Sequence, residues 1–197
     1  MIAPPVNAPL WRLAAASLLA ALLCGCAAVG PAPPAPPAPA PDWQLSGKLA
    51  VVSPRGNGSG QLDWRHYADR FEITLRGPLG LAAAELTGSA EQALLVRGEQ
   101  RWSGSVAELS VQLLGTSLPL SALQYWADGV VAPAPTAPPE RLLYDSSGQL
   151  SSLHQGGWQL QFSRYQSLRG VAQPGKITGR RGDDRFTLVV QSRLQAR

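Results

Sequence analysis

The chain reads as an α+β protein: a mainly antiparallel sheet of about eleven strands, interrupted once by two short helices that cover its apolar side. Three observations predict this. From Asp42 onward apolar and polar residues alternate with period two in run after run. Turn residues break these runs at hairpin spacing. One stretch, 105–129, switches to helical spacing and carries two Ser-x-x-Glu/Gln boxes. Period-two alternation gives each strand one apolar and one polar face, the pattern of an antiparallel sheet covered on one side only.

The strands follow in order. Trp43, Leu45, Leu49 and Val51 alternate with Gln44, Ser46, Lys48 and Ala50. Leu62, Trp64 and His66 alternate with Gln61, Asp63 and Arg65, and Phe71, Ile73 and Leu75 with Glu72, Thr74 and Arg76. Trp158, Leu160 and Phe162 alternate with Gln159, Gln161 and Ser163, and Phe186, Leu188 and Val190 with Thr187 and Gln191. Weaker patterns place strands at 81–88, 92–98, 100–104, 140–146, 149–155 and 174–181. The punctuating turns are Arg55-Gly56-Asn57-Gly58, Gly77-Pro78-Leu79-Gly80, Ser147-Gly148 and Gly182-Asp183-Asp184. The order is that of a meander, without internal repeats.

The middle departs from this pattern. Ser105-Val106-Ala107-Glu108 is a capping box followed by Leu109, Leu113 and Leu114 and stopped by Gly115. A second box, Ser121-Ala122-Leu123-Gln124, puts Leu120, Leu123 and Ala127 on one stripe beside Trp126, with Gly129 closing the helix. The proline-rich loop 132–139 returns the chain to strand. A one-faced sheet needs a cover, and these helices are the candidates for it.

Ahead of the sheet, Arg12 precedes an unbroken apolar or small run over residues 13–23. That run is shorter than the ~20 residues a membrane span needs and fits the apolar core of an export signal. Its end, Leu23-Cys24-Gly25-Cys26, resembles the lipobox of bacterial lipoproteins, which makes Cys26 the lipidated first residue of the mature chain. Cys24 fits less well, because Leu23 would then stand where a small residue belongs, and a plainly cleaved signal is the alternative. By the same resemblance Ala27, rather than an aspartate, points to the outer membrane. Residues 27–41 hold seven prolines and no charge. This segment favours polyproline II and would reach roughly 45 Å from the anchor at ~3.1 Å per residue. The divisions are therefore a signal peptide (1–25), a lipidated cysteine with linker (26–41) and a folded domain (42–197).

Composition narrows the function. Removing residues 1–25 from the 197 leaves 172 and lowers the net charge from +4 to +3. That is enough chain for one domain with a real core. Both cysteines lie at or before the lipidation site, so thiol catalysis, disulfides and cysteine metal sites are not expected in the domain. His66 and His154 stand far apart as ordinary strand residues, and no metal or other cofactor is expected. No basic patch with interleaved aromatics points to nucleic acid. A hydrolase is not expected either: no Gly-x-Ser-x-Gly elbow occurs, and Asp183-Asp184 reads as a hairpin tip.

Four segments, in this order, resemble the outer-membrane lipoprotein receptor family LolB across residues 42–193. They are Trp43-Gln44-Leu45-Ser46-Gly47-Lys48-Leu49-Ala50-Val51, Arg76-Gly77-Pro78-Leu79-Gly80, Leu118-Pro119-Leu120-Ser121-Ala122-Leu123-Gln124-Tyr125-Trp126, and Gly157-Trp158-Gln159-Leu160-Gln161-Phe162. The resemblance implies an incomplete, half-open antiparallel barrel whose concave face is closed by helices and shelters acyl chains. It implies a monomeric receptor anchored in the outer membrane and facing the periplasm, which takes triacylated lipoproteins from a LolA-type carrier and inserts them into the membrane. The helix usual in the family before the first strand is shortened or replaced here by the Pro-rich segment. Trp64, Phe71, Ile73, Trp126, Trp158, Leu160 and Phe162 supply the apolar surface for such a cavity, although each serves a dry core equally well. Leu79, flanked by Pro78 and Gly80, takes the role of the protruding membrane-insertion residue. Leu81 is a second candidate, and folding of Leu79 back onto the sheet edge is the alternative. Lys176, Arg180, Arg181, Arg185 and Arg193 either meet an acidic rim on the carrier or form a solvated strand face. The rival functions are an assembly lipoprotein binding proteins through its sheet and a carrier of free lipids.

Cys26→Ala should leave the protein soluble and unlabelled by palmitate, whereas Cys24→Ala should label normally. Equal labelling of the Cys26 variant would refute the assigned anchor.

Overall fold

The computed structural model describes residues 39–77, 83–168 and 170–195, which form one compact unit. Eleven strands make a single sheet: β1 (Trp43–Ser53), β2 (Gly56–His66), β3 (Phe71–Arg76), β4 (Ala84–Gly88), β5 (Ala93–Arg97), β6 (Gln100–Gly104), β7 (Arg141–Tyr144), β8 (Leu150–Gln155), β9 (Trp158–Ser163), β12 (Lys176–Arg181) and β13 (Asp184–Gln195). Their order is β6-β5-β4-β3-β2-β1-β13-β12-β9-β8-β7, with every neighbouring pair antiparallel. β6 and β7 are its two edges, so the sheet stays open. The strand count of the main sheet follows the alternation read from the sequence, but the order departs from the expected meander. β1 pairs with β13, so the first and last strands lie side by side in the middle of the sheet, and β12 pairs with β9 across residues 164–175.

Two differences concern strands. A hairpin of β10 (Gln166–Leu168) and β11 (Val171–Gln173) forms a separate two-stranded sheet. Its segments are too short for an alternation signal. The glycine-rich stretch expected as a turn belongs instead to β2. The turn itself is Pro54-Arg55, and Gly56, Gly58 and Gly60 pair with Ser53, Val51 and Leu49. Long pairing with β1 outweighs the weak strand preference of glycine.

The first helix, α1 (Val106–Leu114), forms as its sequence predicts. Ser105 caps it reciprocally with Glu108, and Gly115 ends it at φ 74°, a left-handed conformation that glycine adopts without strain. The second, α2 (Leu120–Trp126), starts earlier than its Ser-x-x-Gln box implies. Pro119 occupies the cap without a side-chain bond, and Gln124 Nε2 donates to the Ser121 carbonyl at 3.0 Å. Proline's fixed φ suits a helix start, so Ser121 falls inside the first turn.

The inner residues of the sheet and the helices share one buried cluster. Leu45, Leu49, Val51, Leu62, Trp64, Ile73 and Leu86 meet Leu109, Leu118, Ala122, Leu123 and Trp126, and Trp158, Leu160, Ile177, Phe186 and Leu188 continue it. The outer face is polar: Ser46 Oγ donates to Asp63 Oδ1 at 2.7 Å, and Arg76 pairs with the same carboxylate. The Ser46 hydroxyl first and Arg76 next hold Asp63 below the usual carboxylate range.

The register of β1 against β13 slips between Ser46 and Gly47, leaving Gln191 as an extra residue on β13. Upstream of the slip Phe186, Leu188 and Val190 are buried; downstream the buried residue is Arg193. Sequence parity alone placed Arg193 with the solvated basic residues. The bulge turns it inward. At Gly47 a Cβ would collide with the Val189 carbonyl oxygen. Gly47→Ala should therefore lower stability by about 1–3 kcal/mol in urea unfolding, and a neutral result would show that the bulge relaxes freely.

Candidate functional site

The candidate site lies on the inner face of β1–β5 beneath α1, where three hollows share lining residues. The largest, about 430 Å³, is floored by Trp64, Phe71, Val106, Leu118 and Leu120, with Asp69, Arg70, Ser89 and Gln124 at its lip. That volume falls in the ~300–1,000 Å³ range of small-ligand pockets. Trp64 and Leu120 also border a gap of about 20 Å³ walled by Leu62, Ile73, Leu86, Ser110 and Leu123. Leu49, Leu75, Leu113 and Leu114 then link that gap to a third hollow of about 200 Å³ at the opposite end of the strands. The result is an apolar seam with two wide ends and a waist hardly larger than a water molecule's ~10–15 Å³ requirement.

Of the seven residues read as cavity wall, Trp64 and Phe71 line the large hollow, and Trp64 and Ile73 the waist. Trp126, Trp158, Leu160 and Phe162 are buried in the other half of the cluster and line none of the three hollows. Trp158 meets Phe186 edge-on at 5.2 Å, with Arg181 4.7 Å from its ring centre. The indole N–H groups of Trp64 and Trp158 are buried and unpartnered. Cys26, Pro78, Leu79, Gly80 and Leu81 lie outside the described residues.

Two polar positions of the interior escaped the sequence reading. Gln155, fully buried at the end of β8, uses its whole amide. Oε1 accepts from Trp126 Nε1 and Ala132 N, both at 3.0 Å, while Nε2 donates to the Ala132 and Ala137 carbonyls at 2.7 and 2.9 Å. It ties α2 and the proline-rich loop to the sheet. Its signal was its parity with Leu153, which places an amide on the apolar face. The other is Arg193, which pairs with Asp128 just past α2 at 2.7 Å and lies over Trp43, 4.6 Å from the ring centre. Gln173 of β11 donates to the other Asp128 oxygen at 3.0 Å. Trp43 in turn stacks on His66 at 5.1 Å. Burial, helped by Arg193, pulls the His66 pKa down against the opposing pull of Asp42.

The Arg193–Asp128 pair is dominated by desolvation. Burial raises the Asp128 pKa and lowers that of Arg193, each against the attraction of its partner. Two guanidinium nitrogens, Nε and Nη1, also lack partners. The pair thus sets position more than it adds stability. A raised carboxylate pKa means that this group's contribution is greatest at low pH and declines as pH rises through the folded value.

These features define a class: an open antiparallel sheet with an apolar inner face and two short helices packed against it. A solved LolA superfamily protein from Nitrosomonas europaea superposes with a TM-score of 0.50, covering 81% of this chain and 88% of that one at 8% identity. Within that class, the family model for outer membrane lipoprotein LolB matches residues 41–192. The outer-membrane lipoprotein LolB of Stutzerimonas stutzeri is 36% identical over 192 residues, covering 89% of this chain and 92% of its own. That of Pseudomonas fluorescens is 38% identical over 154 residues, covering 77% and 74%. The chain belongs to the LolB family of outer-membrane lipoproteins.

Asp128→Leu alone should cost about 3–5 kcal/mol in denaturant unfolding, by stranding Arg193 in the interior. The double variant Asp128→Leu/Arg193→Leu should cost less than either single change. Additive losses would mean that the two side chains stabilise the fold independently.

Proposed function

We propose that this protein is the outer-membrane receptor of lipoprotein transport. Anchored through lipidated Cys26 and its Pro-rich spacer, it accepts triacylated lipoproteins from a LolA-type periplasmic carrier. It holds their acyl chains between the helices and the inner face of the sheet and passes them into the inner leaflet. The observation that carries this reading is the apolar seam beneath α1, with its two wide ends and closed waist. Acyl chains kept from water gain ~0.8 kcal/mol per buried methylene, and the seam offers them leucine and tryptophan walls. Its waist admits a chain only when α1 moves away from β2 and β5. That helix is suited to move, being nine residues long with only Leu109 and Ser110 fully buried. The helices thus act as a cover over the concave side, opened by cargo. Transfer needs no catalysis: cargo passes from a weaker apolar site to a tighter one and then to lipid, driven by differences in affinity. In this reading Leu79, between Pro78 and Gly80, enters the bilayer, with ~1.5–3 kcal/mol available from burying one leucine.

A triacylated lipopeptide with brominated chains should quench the tryptophan fluorescence, and Trp64→Phe should remove more of that quench than Trp158→Phe. An unquenched parent protein would overturn the reading. Leu79→Glu should still accept lipopeptide yet fail to pass it to vesicles; normal lipoprotein localisation in cells carrying only this variant would remove the role assigned to Leu79.

A further inference from the structure

The hollow of about 200 Å³ carries a group that sheltering acyl chains does not require. Its floor is Leu49, Val51, Leu75, Ala84, Leu113 and Leu114, and Arg97 stands at its rim. Arg97 pairs in register with Ala84, and its parity is that of Ala93 and Leu95, all three of which are buried. Directly opposed residues of an antiparallel pair share a face, so Arg97 takes a position the strand pattern reserves for an apolar residue. Among the described residues it makes no ion pair, whereas Arg76, on the same rim, is committed to Asp63.

Charge is also distributed along the strands. Arg55, Arg76, Arg97 and Arg101 stand at this end of β1–β6, against Glu85 and Glu99; Asp42, Asp69, Glu72, Glu91 and Glu108 stand at the other, against Arg65 and Arg70. A cation facing an apolar hollow matches an amphiphile with an anionic head, since a guanidinium binds phosphate through two parallel hydrogen bonds. The acyl groups of a triacylated lipoprotein are joined through ester and amide links and offer no anion there. We propose that this hollow takes part of one acyl chain of an anionic phospholipid of the bilayer, its phosphate held by Arg97. The hollow is smaller than the ~300 Å³ of a whole-ligand pocket, so it grips a segment of one chain rather than a lipid molecule. Gly58, opposite buried Val51, lines it, and a Cβ there would meet nothing within 4 Å.

The inference goes beyond the receptor reading, and the test separates the two. The full lipidated chain is reconstituted in phosphatidylcholine vesicles doped with either photoactivatable phosphatidylglycerol or photoactivatable phosphatidylcholine, and labelled peptides are mapped. Phosphatidylglycerol should label the segments of Leu75 and of Leu113 and Leu114 about fivefold more than phosphatidylcholine. The latter has the same phosphate but carries a choline cation that competes with Arg97 for it, a difference of the size of an exposed ion pair. Arg97→Leu should abolish the preference and Arg97→Lys should keep most of it, while Gly58→Leu should block labelling by both lipids. Equal labelling of the parent by the two lipids, an unchanged preference in Arg97→Leu, or unchanged labelling in Gly58→Leu would each overturn the proposal. So would labelling of these segments by a photoactivatable triacylated lipopeptide and not by phosphatidylglycerol, a result that leaves the receptor standing. A lipopeptide that labels nowhere sinks the receptor reading and leaves the phospholipid result readable.

Discussion

An open sheet with one apolar face is unstable unless something covers that face, and most of this molecule answers that constraint. Eleven antiparallel strands place Leu45, Leu49, Leu62, Ile73, Leu86, Leu160, Ile177 and Leu188 on one side. Among the described residues, two short helices, the proline-rich loop at Ala132 and Tyr165 pack against the same cluster. Exposing a single such leucine costs ~1.5–3 kcal/mol, so the cover must stay in place at rest. Gln155 and Asp128–Arg193 do this at two points. Gln155 holds Trp126 and the loop with a fully satisfied amide; Asp128, just past α2, is held from β13 and β11 together. The two devices differ in kind: a satisfied neutral amide stabilises, whereas a buried ion pair with unpartnered nitrogens chiefly fixes position.

Just past α1, Thr116 Oγ1 donates to Asp184 Oδ2 at 2.6 Å and Arg181 Nη2 to the Ser117 carbonyl at 3.0 Å, and the hollows lie along the helix itself. The half of the core around Trp158, Leu160 and Phe162 lines none of the three hollows, while Trp64, Phe71 and Ile73 border space. The core therefore divides into a filled side and a side that borders the hollows, and the seam belongs to the second. This division also separates the seven aromatic and aliphatic residues that looked equivalent in sequence.

Alternation exposed the sheet because side chains of period two have only one way to share a face. It found all eleven strands of the main sheet, and the Ser105–Glu108 box located α1 at its true start. Capping chemistry is local, so it is legible. The start of α2 was less so, because Pro119 competes with Ser121 for the same role. The β10–β11 hairpin has three-residue strands, too short to show a period. Which apolar residues wall a space and which fill one depends on packing between elements distant in sequence, and alternation is blind to that. Gln155 and Arg97 were visible in principle: each is a polar residue at an apolar parity, an exception that a strand pattern can flag without explaining.

The bulge at Gln191 shows how one inserted residue redirects a strand. Beyond it odd positions face inward, so Leu194 is more than half exposed while Arg193 is enclosed. Removing that residue would leave Ser192 opposite Ser46 and Arg193 opposite Leu45, with the guanidinium still inside; a regular ladder that kept Gln191 would instead turn Leu194 inward and expel the guanidinium. The slip in register, rather than a change in composition, thus decides whether the last strand contributes grease or charge to the interior.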